Sequence, residues 1–544
     1  MAWRTFLRGR SKGGNLGNPI LSSETSLPEE QWFTQYLDHF NPTDINVWEQ
    51  RYFVNTDFYT IKPNGPIFLM IGAEGTANAT WMVEGEWIEY AKEFGAMCFY
   101  LEHRYYGKSH PTVDLSVKNL MYLSSEQALA DLAYFIASVN VAYKFPKDTK
   151  WIVFGGSYGG SLAAWMRAKY PHLVHGAVSA SGPLLAQIDF SEYYKVVTNA
   201  LKEYSDQCVR VIQEANSQLN IMLHHTIGQQ QIQKKFKLCD PIDPGHTKLV
   251  DISNLYEALA SNFAGVVQYN KDNRQSPQSV NITIETVCDI LVDEKVGKSI
   301  DRLAYVNSMI LNATKEKCLD YRYDTMIHEL RSITWASEQA EGGRQWMYQT
   351  CSEFGFFQTS TGQIDVFGNK FPVEFFAQQC VDIFGPKYSD KCVEKERSDL
   401  FVKANLRVQL YSVELYSCEI VFFVRKKTWT PLEVEKRHHN ERYDEQSAIL
   451  CPFDLIKHVP EINYYCLRYS CTTILLFFIA RLHPHEIFIV RSLRQGRATL
   501  CTSEAHFSQS LVNCTTKIKN GSIHGLLYFF CNSGSSFSED EKIN

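Results

Sequence analysis

The chain has 544 residues, with 54 Lys+Arg against 60 Asp+Glu for a formal charge of −6, and is 45% apolar and 21% charged. Those proportions exclude wholesale disorder, and the length allows about two to four domains. The mildly acidic balance, with no Lys/Arg-rich stripe, argues against nucleic acid as a partner, and the best candidate span, Cys471–Ala480, runs only ten residues, too short to cross a bilayer.

At the start, Met1–Arg10 has no apolar stretch and no cleavage site, and the first 23 residues carry four basic groups and no acid. A transit segment would fit that composition but not the 15 cysteines or the five sequons at Asn78, Asn281, Asn312, Asn513 and Asn520. Cysteines and sequons together point to an oxidising secretory compartment, secreted or lysosomal, with a signal peptide lost from this start.

Pro66-Ile-Phe-Leu-Met-Ile71 reads as a buried strand running into Gly72-Ala-Glu-Gly75, and Ala96–Leu101 as a second. Ser124-Ser-Glu-Gln127 is a capping-box pattern ahead of a helix over Ala128–Ala137. Trp151–Phe154 is a third strand, Ser161–Tyr170 a helix stopped by Pro171, and Leu173–Ala180 a fourth strand. The alternation predicts an α/β fold with a parallel sheet. From about 182 to 390 the spacing turns helical, over Tyr193–Leu223, Leu255–Val267 and Val296–Lys315, as expected of an inserted cap domain. His224-His225 reads as a solvated helix face. Beyond 391 only short β-like runs, Val421–Val424 and Ile487–Val490, stand out. The domains expected are an extension (1–29), a first core part (30–181), a helical cap (182–390) and an atypical C-terminal segment (391–544).

The strongest chemical signal is Phe154-Gly-Gly-Ser157-Tyr-Gly-Gly160, a G-x-S-x-G pattern between a buried strand and a helix. A sharp turn there pushes the Ser157 hydroxyl outward, and the Tyr158 amide, at a helix N-terminus, can stabilise a tetrahedral oxyanion. A second donor is expected from the turn Gly72–Gly75. An inert serine on a Gly-rich turn is the alternative. No P-loop, dinucleotide fingerprint or H-E-x-x-H zinc pattern occurs, so no cofactor or metal is expected.

Several segments then carry a family resemblance: Trp32–Phe40, Gln50-Arg-Tyr-Phe53, Leu101-Glu-His-Arg-Tyr-Tyr-Gly-Lys-Ser109, Trp151–Pro171 and Gly342-Gly-Arg-Gln-Trp-Met-Tyr-Gln-Thr-Cys-Ser-Glu353. Over roughly residues 30–390 the chain resembles the serine peptidase family of lysosomal prolyl carboxypeptidase, dipeptidyl peptidase II and thymus-specific serine protease, the thymus-specific branch most. The resemblance implies an α/β-hydrolase core with an inserted helical cap, and a serine exopeptidase acting on peptides, with a homodimer allowed. It makes Ser157 the nucleophile and places Tyr158 and Ala73 in the oxyanion hole, Ala73 standing where the family usually has Gly. It pairs Cys208 with Cys288, Cys239 with Cys318 and Cys351 with Cys380, leaving Cys98 as a free thiol. The dipeptidyl branch has an acid at the position of Met347, which argues against a strict dipeptidyl peptidase.

In the family the triad Asp and His lie in motifs like G-x-x-D-P-W and G-x-x-H-C. Residues 391–544 hold four aspartates, Asp399, Asp444, Asp454 and Asp540, and none precedes Pro-Trp. Their seven histidines are His438, His439, His458, His483, His485, His506 and His524, of which only Gly521-Ser-Ile-His524 has the G-x-x-H spacing. This stretch carries a net +3 (20 Lys+Arg, 17 Asp+Glu) against −9 before it, and only 4 of the 30 glycines. The expectation is that it is not the family's own closing half, as in a misread or alternatively spliced end. It would then not dock as parallel strands, and the chain would be an inactive relative binding peptides at most.

Overall fold

The computed structural model describes residues 26–59, 65–271, 282–362 and 366–388, positions 19 and 21, and beyond these the backbone of seven strands. It divides into two units, Met1–Val408 and Gln409–Asn544.

The first unit is built on strands β1 (Gln31–Tyr36), β2 (Val47–Asn55), β3 (Ile67–Ile71), β4 (Met97–Leu101), β5 (Trp151–Gly156) and β6 (Gly176–Ala180). They lie in the order β1-β2-β4-β3-β5-β6. β4, β3, β5 and β6 run parallel, as the alternation predicts, whereas β1 and β2 are antiparallel, a hairpin joined to β4 that the apolar-run reading missed. The cause is visible in their patterning. β3, β4 and β5 are buried at every position and so read as continuous apolar runs, while β1 is exposed at four of its six positions and β2 mixes buried with more open ones.

Four helices accompany the sheet: α1 (Glu86–Phe94), α2 (Val117–Leu120), α3 (Ser125–Ala142) and α4 (Tyr158–Lys169). Ser124 caps α3, its hydroxyl accepting the Gln127 N–H. The other half of the capping box is diverted: Gln127 accepts the His39 N–H and donates to Asp38, tying α3 to the turn after β1.

The rest of the first unit is mainly helical: α5 (Glu192–Tyr204), α6 (Asp206–Leu223), α7 (Thr226–Phe236), α8 (Leu249–Gln268), α9 (Ile284–Val292), α10 (Ser299–Ala313), α11 (Tyr323–Leu330), α12 (Gly343–Gln349) and α13 (Val373–Phe384). The single run expected over Tyr193–Leu223 is two helices, because the Ser205 hydroxyl turns back to accept the Cys208 N–H and restarts the chain as α6. His224 and His225 are exposed but form the junction between α6 and α7 rather than a helix face. Disulfides join Cys208 of α6 to Cys288 of α9, Cys239 to Cys318, and Cys351 to Cys380 of α13. Closing loops of 80, 79 and 29 residues, they would each contribute about 2–4 kcal/mol by restricting the unfolded chain. Strands β7 (Gln187–Asp189) and β8 (Gly355–Phe357) pair in parallel and link the two ends of this helical block.

In the second unit, strands Arg468–Ser470, Thr473–Ala480 and Ile487–Leu493 form one antiparallel sheet. Ala498–Ser503, Leu511–Lys517 and Leu527–Phe530 form another, and Ile420–Phe423 is also extended.

Candidate active site

β5 ends in Gly155-Gly156 and α4 begins at Tyr158, so Ser157 is the whole turn between them. It sits at φ 54°, ψ −129°, a conformation that L-residues avoid and that surrounding structure must impose. The glycines permit it: a Cβ on Gly155 would stand 2.0 Å from the Gly159 carbonyl oxygen, and one on Gly160 would stand 2.8 Å from that of Ala180. Ser157 N–H donates to the Ala180 carbonyl at 2.9 Å, which ties the turn to the end of β6. The side chain stays half-buried, and its hydroxyl donates to Glu74 Oε1 at 3.1 Å.

Glu74 and Ala73 belong to the turn after β3, and the Gly72 N–H donates to the Leu101 carbonyl at 2.8 Å, placing that turn over the end of β4. Its approach to α4 is close. A Cβ on Gly159 would lie 2.9 Å from the Ile71 carbonyl oxygen and 3.3 Å from Ala73 Cβ. Chain segments carrying two candidate oxyanion amides, Ala73 and Tyr158, are thus packed together beside Ser157.

Beneath the turn, the buried Tyr158 phenol meets three partners: Ser125 Oγ at 2.9 Å, Gln349 Nε2 at 3.0 Å and His103 Nε2 at 3.2 Å. Burial pushes the phenol well above its ordinary pKa, so it keeps its proton. Burial also lowers His103 to about 4, leaving a neutral ring. Its Nδ1 lies 2.6 Å from the Arg104 carbonyl, which can only accept, so Nδ1 holds the hydrogen and Nε2 accepts from Tyr158. The phenol therefore donates to His103 and accepts from Ser125 and Gln349. Gln349 Nε2 also donates to Glu353 Oε2 at 3.0 Å, its Oε1 accepts from the Tyr106 hydroxyl at 2.7 Å, and Glu353 Oε1 accepts the Ser125 N–H at 2.8 Å.

Two buried ion pairs fix the loops around this centre. Arg104 makes a fork to Asp131 of α3, with 2.6 Å to each oxygen, and His39 reaches the same carboxylate at 2.8 Å. Burial acts to raise the Asp131 carboxyl, and the Arg104 charge together with the hydrogen bonds from Arg104 and His39 more than reverses that, leaving it below the usual range. Arg51 pairs with Glu102, which also accepts from Ala77 N–H (2.9 Å) and Ser109 Oγ (2.7 Å). Gly107, at φ 60°, has to be glycine: a Cβ there would stand 1.9 Å from Glu102 Oε1.

The remaining residues singled out in the sequence fall elsewhere. Asn78 caps a short helical turn, its Oδ1 accepting the Thr80 N–H, and is half-buried; Asn312 is exposed near the end of α10; Asn281 lies outside the described residues. Cys98 is an unpaired, buried thiol on β4, and burial pushes its pKa up. Met347 is buried in α12. The four aspartates and seven histidines of residues 391–544 all lie outside the described residues. Among the described residues no cluster of three or more His, Cys, Asp or Glu is placed to hold a metal, and no helix is long and apolar enough to cross a membrane. Sequence reasoning missed Glu74 as a partner of Ser157 and the network on the Tyr158 phenol. The motifs holding these residues were visible, but nothing local links positions up to 228 residues apart.

The sheet order and the strand–serine–helix turn are those of an α/β-hydrolase. Residues 35–404 match the family described as Serine carboxypeptidase S28, and the chain belongs to that family of serine peptidases. A Caenorhabditis elegans protein provisionally named a serine protease is 36% identical over 399 residues, covering 70% of this chain and 73% of its own. The human thymus-specific serine protease is 33% identical over 64% of this chain and 68% of its own. The human lysosomal Pro-X carboxypeptidase is 30% identical over 64% of this chain and 70% of its own. The disulfides and the lysosomal relative fit the secretory pathway or lysosome.

Proposed function

We propose that this chain is a serine exopeptidase that hydrolyses peptides through an acyl-enzyme on Ser157. The observation carrying the proposal is the strained backbone of Ser157 between β5 and α4, a conformation that has no structural need to be a serine and that presents a hydroxyl at the head of a helix. Ser157 Oγ attacks the scissile carbonyl, and the amides of Tyr158 and Ala73 receive the oxyanion. The proton lost from Ser157 Oγ passes to the departing amine as the scissile C–N bond breaks; water then attacks the acyl ester, its hydroxyl going to the released acid and its other proton back to Ser157 Oγ. The helical block, residues 182–390, acts as a cap that limits entry to peptide ends. The packing of its Gly342–Glu353 segment against Tyr158 joins that block to the Ser157 turn. The division of the chain at 29, 181 and 390 follows from the same reading. Buried Met347 offers no acid to hold a free α-amine, which favours a carboxypeptidase over a strict dipeptidyl peptidase. A fluorophosphonate probe should label Ser157 in the wild-type chain and not in Ser157→Ala; a folded sample that is not labelled removes this reading.

A second reading, a relative that binds peptides without cleaving them, is favoured by one observation. No G-x-x-D-P-W or G-x-x-H-C motif occurs in residues 391–544. Calorimetric peptide binding with no terminal fragments in mass spectrometry selects it, and fragment release eliminates it.

A further inference from the structure

The segment Gly342–Glu353 is recognisable in sequence but takes no part in the chemistry just described. Its course is unusual. α12 ends at Gln349 and passes into a π-helical turn, Thr350–Phe354, a wider winding often found where function requires it. Gln349 and Glu353, four residues apart, lie side by side across that junction, the amide of one donating to the carboxylate of the other. Both then reach core elements: Gln349 to the Tyr158 phenol, Glu353 to the first N–H of α3 at Ser125. Trp346 and Phe354 of the same segment lie against the Tyr158 ring, each with centroids 5.5 Å away.

Tyr158 is the residue whose own amide faces the reaction. A peptide unit is rigid, so the plane carrying the Tyr158 N–H is defined by Ser157 ψ at one end and by the position of Tyr158 Cα at the other. Ser157 holds a ψ of −129° at positive φ, which its own preferences do not maintain. A ring fixed at its far end by one donated and two accepted hydrogen bonds, and flanked by Trp346 and Phe354, holds Cα from below. The phenol has one hydrogen and two lone pairs, and all three are used.

We propose that Gln349 and Glu353 are positioning residues of the peptidase: by gripping the phenol of Tyr158 they hold its backbone N–H on the oxyanion. The inference rests on the acyl-enzyme reading of Ser157. It gives the helical block a second task, in which it completes the nucleophile turn as well as covering it. Glu353 acts through Gln349 and Ser125, never on substrate, and its carboxylate matters because the Gln349 amide needs an acceptor. A glutamine at 353 that keeps its oxygen toward the Ser125 N–H sets an amide donor against that donor.

The test uses the full chain and three near-isosteric variants, Tyr158→Phe, Gln349→Met and Glu353→Gln, with Ser125→Ala as the mildest. Three quantities are measured: the rate of fluorophosphonate labelling at Ser157, deuterium exchange of the peptide spanning 155–162, and exchange of the strand peptides at 67–71 and 97–101. Removing an oxyanion donor outright costs about 10²–10³ in rate, so loosening one should slow labelling by roughly tenfold. Exchange at 155–162 should quicken while the strand peptides stay protected. Labelling at the wild-type rate with unchanged exchange at 155–162 overturns the proposal. So does slowing that is matched by faster exchange throughout, which marks a general loss of stability. If the wild-type chain itself is not labelled, the acyl-enzyme reading fails separately, and exchange at 155–162 in the variants still decides whether the grip exists.

Discussion

The upper and lower sides of the Ser157 turn are specified in opposite ways. Above, the Ser157 backbone is dictated by its immediate neighbours: Gly155, Gly159 and Gly160, all within three residues of it, leave room that a single methyl group would fill. Below, the Tyr158 phenol is held by Ser125, His103 and Gln349, separated from it by 33, 55 and 191 residues. A local constraint survives in a short motif, while a distant one exists only once the whole unit has folded.

That contrast can be broken from either side. The largest effect is expected where a distant charge is left alone. Asp131→Asn leaves fully buried Arg104 without its counter-charge, and chemical denaturation should show a loss of about 3–5 kcal/mol. Gly155→Ala attacks the local side: its methyl group meets the Gly159 carbonyl and cannot be relieved by a rotamer change. A loss of about 3 kcal/mol, with Ser157 labelling abolished, is the expected outcome.

His103 sharpens the comparison through pH. Its folded pKa of about 4 lies below the ordinary value, so between roughly 4 and 6.5 the unfolded chain binds more protons than the folded one. The resulting stability is complete above about pH 6.5 and is lost as pH falls toward 4, by about 2 kcal/mol at pH 5. Unfolding curves from pH 7 to 4 should be steeper for wild type than for His103→Gln. The smallest effect belongs to Ser124→Ala, about 1 kcal/mol from the lost α3 cap, measured by thermal unfolding, with labelling unchanged.

Much of the fold was legible because burial leaves a plain signature. β3, β4 and β5 are covered on both faces and appear as apolar runs, and the G-x-S-x-G turn stands between a strand and a helix. β1 and β2 were not, since they are no apolar runs and include Gln35, Gln50 and Arg51, polar residues that are buried because Gln35 bonds to Gln50 and Asp131, and Gln50 and Arg51 to Glu102. The α5–α6 boundary was missed because Ser205 looks like an ordinary helix residue until its hydroxyl turns back. Glu74 was read only as part of a turn; its contact with Ser157 depends on how β3 and β5 register, which no short window contains.

The 191 residues between Tyr158 and Gln349 are also an interval of time. At ordinary translation rates of about 5–20 residues per second, Gln349 is made roughly 10–40 s after the turn it supports. During that interval the strained serine and a phenol destined for burial exist without Trp346, Gln349 and Phe354. A chain interrupted before Gln349 would therefore carry every residue of the G-x-S-x-G motif and still lack the support that gives it shape. In fragments released from the ribosome at increasing lengths, protection of the 155–162 amides from deuterium exchange should appear once Gln349 and Glu353 are included, and not when Ser157 first appears.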